Sequence, residues 1–76
     1  MKKAFERNLL LMISRDLEEI SKDDNFTITK KYYNCYNYLT DVINAVGNSA
    51  SECLLTELCI HKQYYKYKYL INKGLI

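Results

Sequence analysis

Residues 25–46, NFTITKKYYNCYNYLTDVINAV, constrain the fold more than any other stretch of the chain. At 100° per residue, Ile28, Tyr32, Cys35, Tyr36, Leu39, Val42, Ile43 and Val46 fall within an arc of about 120°, one face of a buried helix. The opposite arc holds Lys30, Asn34, Asn37, Asp41 and Asn44, which a strand with its period of two would not separate. A helix is therefore expected to begin near Phe26 or Thr27, with Asp24 or Asn25 as its N-cap, and to end at Val46. Gly47 is expected to close it in the left-handed conformation.

Two further helices are expected on either side. The first spans about residues 3–22, with Phe5, Leu9, Leu10, Met12, Ile13, Leu17 and Ile20 on one wide side and Leu11 opposite. Glu18 and Glu19 sit near its C-terminal end, where the helix dipole disfavours them, so this end is expected to fray. SKDDN, residues 21–25, is the connection. Ser49-Ala50-Ser51-Glu52 reads as a capping box with Ser49 as N-cap, opening a helix over residues 50–72.

That last helix has two apolar stripes. Leu54, Leu55, Leu58, Tyr65 and Tyr69, with His61 among them, form one; Cys53, Ile60, Tyr64, Tyr67 and Ile71 form another, centred about 110° or more away. The first stripe can face helices one and two. The second is either a docking surface, together with Leu11, or is wrapped by helix one. Residues 64–70 alternate Tyr and Lys and would also suit an amphipathic strand, but no second strand exists to pair with it. The expectation is an all-α domain over residues 1–76: a hairpin of helices one and two with a long third helix packed across it. Tyr32, Tyr36, Tyr65 and Tyr69 are assigned to its core.

A chain of 76 residues buries only a little over half of its unfolded surface, so stability is marginal and a partner would supplement the core. No 18-residue uncharged apolar window exists for a membrane span. Glu6, Arg7 and Asn8 interrupt what would otherwise resemble a signal peptide, and a cytoplasmic protein is expected. Three cysteines, at 35, 53 and 59, suit reduced, buried thiols better than a disulfide framework.

No cofactor, metal or catalytic constellation is expected. Cys59 and His61 lie two residues apart on a helix and point away from each other, and Cys53 and Cys59 lack zinc-site spacing. The charge is polarised, with five acids against two bases over residues 15–24 and only lysines (62, 66, 68 and 73) after Glu57. Interleaved with Tyr64, Tyr65, Tyr67 and Tyr69, those lysines could neutralise phosphates while the rings stack on bases. Against nucleic acid, no arginine follows Arg15 to offer bidentate readout.

The order of residues 17–62 resembles the ANR family of small negative regulators that act on AraC-type virulence activators in enteric bacteria. The matching pieces are Leu17-Glu18, a polar turn, Asn25-Phe26, the aromatic pair Tyr32-Tyr33, then Asn48 and Cys59. Asn25 stands where the family has an acid, Thr29 and Lys30 where it has small residues, and no Arg precedes Cys59. The resemblance implies a non-enzymatic repressor that binds an AraC-type activator, with nucleoid proteins of the H-NS type as further partners. A homodimer, a nucleic-acid-binding protein using the Lys/Tyr segment, and a phage-type inhibitor of a host enzyme stay open beside it.

Overall fold

The computed structural model describes residues 2–76, with side chains from Ala4 onward. Three helices follow one another, α1 (Lys2–Lys22), α2 (Ile28–Val46) and α3 (Glu52–Asn72), and the described residues contain no strand. The all-α reading holds, and residues 64–70 are helical. The third helix packs against the other two, its contact with α2 being the most extensive. Five-residue connections set α2 antiparallel to its neighbours. Cross-helix pairs show this register: Lys62 lies over the ring of Tyr36, while Tyr69, further along α3, meets Tyr33, earlier in α2.

Ile13, Leu39, Leu54 and Leu58 form the core cluster, with Leu9, Leu10, Leu17, Tyr38, Val42, Ile43, Val46, Ala50 and Tyr65 packed on it. It sits nearer the α2–α3 turn than the other end of α2. That position explains two departures from the expected faces. Ile28, the first residue of α2, lies beyond the core and is exposed; Phe5 and Met12 lie on a flank of α1 and are exposed as well. Only one of the three thiols, Cys35, is buried, whereas Cys53 and Cys59 face solvent. Burial pushes the Cys35 thiol above its ordinary value, partly offset by a hydrogen bond with Ser21.

Both caps fall later than the sequence suggested. Thr27, not Asp24 or Asn25, caps α2, its side chain accepting from the Lys30 N–H at 3.2 Å. Asp23 is occupied instead by a local turn, accepting from the Asn25 N–H at 3.0 Å. At the other junction Gly47 keeps right-handed helical angles (φ −51°, ψ −37°), and Ser49 and Ala50 both donate their N–H groups to the Val46 carbonyl. Ser49 is thereby held in the turn, and Ser51 caps α3, its hydroxyl accepting from the Leu54 N–H at 3.2 Å. The left-handed glycine is Gly74 (φ 75°). Leu75 N–H donates to the Leu70 carbonyl and Gly74 N–H to that of Ile71, the paired closure of a Schellman motif.

The C-terminal end of α1 continues to Lys22, whose ammonium meets Glu18 at 2.6 Å, one turn apart. This pair lowers the Glu18 carboxyl pKa and raises that of Lys22 through their hydrogen bond and then their charges. It sets a cation in the last turn, where the dipole favours one.

Candidate docking face on the third helix

Helix α3 carries apolar residues all round, and packing uses only one side of them. Leu54 and Leu58 are buried, Leu55, Tyr65 and Tyr69 are half-buried, and His61 is exposed rather than part of the core face. The second stripe points to solvent: Ile60 is 64% exposed, Tyr64 49%, Tyr67 56% and Ile71 42%, with Cys53 also exposed. Helix α1 therefore does not wrap this side. Leu11, on the outward side of α1, is 65% exposed. Beside the row a shallow apolar groove is lined by Leu55, Thr56, Cys59, Ile60 and Gln63.

The aromatic and basic residues of the segment 62–73 are engaged differently from one another. Tyr65 packs against Tyr32, ring centroids 6.3 Å apart, and edge-on to Tyr64 at 5.2 Å. Tyr69 packs against Tyr33 at 5.2 Å. The ammonium groups of Lys62, Lys68 and Lys73 lie 5.5, 5.7 and 5.8 Å from the ring centroids of Tyr36, Tyr64 and Tyr69, and Lys30 lies 4.7 Å from that of Tyr33. Each such pair stabilises by about 0.5–1 kcal/mol at an exposed site. Lys30, Lys73, Tyr33 and Tyr69, with Thr27 and Thr29, border an open cleft of about 420 Å³ at the far end of the α2–α3 pair.

Two polar links join α1 to the other helices. The Glu6 carboxylate on α1 accepts from the Ser51 backbone N–H at 2.8 Å and from its hydroxyl at 2.6 Å. In a capping box, a Glu three residues into the same helix would accept from the cap N–H. Here the acid comes from another helix, and the start of α3 is tied to α1. The signal is present in the sequence: Glu6 lies on the α1 face of Leu9, Leu10 and Ile13, spaced at three, four and seven residues. The second link is the Tyr38 hydroxyl donating to Asp16 at 2.6 Å. Burial, then the hydrogen bond to Asp16 and its charge, raise the Tyr38 hydroxyl well above its ordinary pKa of 10.0.

Of the residues that carry the family resemblance, Asn25 and Phe26 lie in the α1–α2 turn, Tyr32 and Tyr33 on α2, Asn48 in the α2–α3 turn and Cys59 on α3. Among the described residues no group of three or more His, Cys, Asp or Glu side chains is arranged to hold a metal ion. None of the described helices is long and apolar enough to cross a membrane. No protein-family model, curated protein or solved structure matches the chain.

Proposed function

We propose that this chain is a non-enzymatic, cytoplasmic negative regulator of transcription that binds an AraC-type activator by protein–protein contact. The observation that supports it is the solvent-facing row Ile60, Tyr64, Tyr67 and Ile71 on a helix whose other side completes the core. A helix that lays such a row into a groove is a recurrent mode of protein recognition. Tyrosines suit it because each offers a large contact area with few rotatable bonds and a hydroxyl for the wet rim. The choice of activator comes from the resemblance over residues 17–62. Covering the activator's surface would block its self-association or its use of DNA. Contact with H-NS-type nucleoid proteins belongs to the same proposal through the same resemblance.

Direct nucleic-acid binding is the weaker reading. The Tyr64 and Tyr69 faces that bases would stack on already hold the chain's own ammonium groups. The two readings part on salt: phosphate binding weakens steeply as salt rises, and an apolar interface changes little.

The test is capture of an AraC-type activator from the native host on tagged wild-type chain and on Tyr64→Ser with Tyr67→Ser, each at two salt concentrations. The reading expects recovery with wild type at both concentrations and none with the double variant. Equal recovery by both chains, or loss of binding at the higher salt, would contradict it.

A further inference from the structure

The molecule exposes more surface than its mass requires. A monomeric protein of 9.0 kDa exposes about 4,850 Å² by the usual scaling of area with mass, and this flattened chain, 42 × 25 × 14 Å, exposes 5527 Å². The excess, about 700 Å², follows from the flattened shape, which leaves one side of each helix without a packing partner. On the outer face of α3 four large apolar residues in one row, Ile60, Tyr64, Tyr67 and Ile71, are each exposed.

Along that face Cys53, Glu57, Ile60, Tyr64, Tyr67 and Ile71 follow one another at alternating steps of four and three residues, the spacing of a coiled-coil seam. The seam is symmetric about position 62: reversed, 53 falls on 71, 57 on 67 and 60 on 64. Among the charges of α3, Glu57 lies on the seam towards its start and Lys68 borders it towards its end, while Lys62, at the centre, lies on the inner side over the Tyr36 ring. Two such helices side by side in parallel would set acid against acid and lysine against lysine. Antiparallel, they bring Glu57 of each copy beside Lys68 of the other.

We infer that the outer row of α3 pairs with the same row of a second copy, antiparallel and two-fold symmetric. Ile60 then packs on Tyr64 of the other copy and Cys53 on Ile71 of the other copy, each contact occurring twice as an isologous interface requires. The inference stands apart from the activator reading, since pure protein tests it. Where both hold, self-pairing and activator binding compete for one face.

The register makes a sharp test with the thiols already present. In a Cys59→Ser background, Cys53 is the exposed thiol that remains. Sedimentation equilibrium should give twice the 9.0 kDa chain mass, and mild oxidation should leave this parent uncross-linked. Adding Ile71→Cys should yield a covalent dimer joined between Cys53 and the introduced thiol. Adding Tyr64→Ser and Tyr67→Ser should abolish that cross-link with helical circular dichroism retained. A mass of one chain at every concentration would overturn the inference. Cross-linking of the parent through Cys53, as a parallel pair requires, or no cross-link with Ile71→Cys, would overturn the antiparallel register.

Discussion

Glu6 shows how much a single side chain can do in so small a protein. Its carboxylate completes the cap of a helix 45 residues away, satisfying an N–H that the helix itself leaves without a partner. Hydrogen bonds to a charged group are worth roughly 1.5–3 kcal/mol each, and less where water competes. Glu6→Ala should therefore destabilise by about 1–3 kcal/mol in urea titration. Ser51→Ala removes the hydroxyl half of this link together with the Leu54 cap, and leaves the backbone N–H bond to Glu6 in place. The double substitution should cost less than the sum of the two, because each single change already breaks the shared hydroxyl–carboxylate bond.

Tyr38 and Tyr65 carry the pH dependence. Burial raises both hydroxyls above the ordinary 10.0, and Cys35 above 9.0. As pH passes the ordinary values, the unfolded chain releases these protons while the folded chain keeps them. The folded state then binds more protons, so the contribution of these three groups is full below about pH 9 and falls as pH rises through 9 and 10. Tyr38→Phe should make the alkaline fall shallower, as read from unfolding free energies at pH 8 and pH 11.

At the scale of elements, periodicity told more than punctuation. The α2 face was legible because an eight-residue apolar arc leaves one solution, and Cys35 and Leu39 are indeed buried. The two stripes of α3 were legible for the same reason. Its caps were not: two serines, at 49 and 51, both offer a capping oxygen, and the choice is made by Val46, whose carbonyl takes the N–H groups of 49 and 50. Tyr38 lay outside the apolar arc of α2, and nothing within α2 announces that Asp16 on another helix will accept its proton. The Tyr38–Asp16 pair leaves no local pattern.

Gly74 shows the same limit, since the end of the apolar periodicity at Val46 pointed to Gly47 as the left-handed position. The backbone puts φ 75° at 74, with open space around the missing Cβ. Strain there is purely conformational. Gly74→Ala should lower stability by about 1 kcal/mol through the left-handed penalty, with early fraying of the last turn seen in amide exchange.

At the scale of the whole molecule, the core is four clustered side chains and the half-buried ring around them. Leu39 is fully buried among them. Leu39→Ala should cost about 2–5 kcal/mol, a large share of what a domain this small has in total. The unfolding midpoint in urea checks it, and a midpoint equal to wild type would mean that the α2 face does not hold the core.

The central claim is that α3 divides its two faces, one holding the fold and the other left for a partner. It is tested most directly by the urea unfolding of Tyr64→Ser with Tyr67→Ser, compared with wild type at a dilution where association no longer contributes to stability. Both tyrosines are about half exposed, so the account predicts the same cooperative transition, shifted by no more than about 1 kcal/mol. A variant that unfolds as readily as Leu39→Ala, or that loses its cooperative transition, would place the outer row in the core and contradict the account.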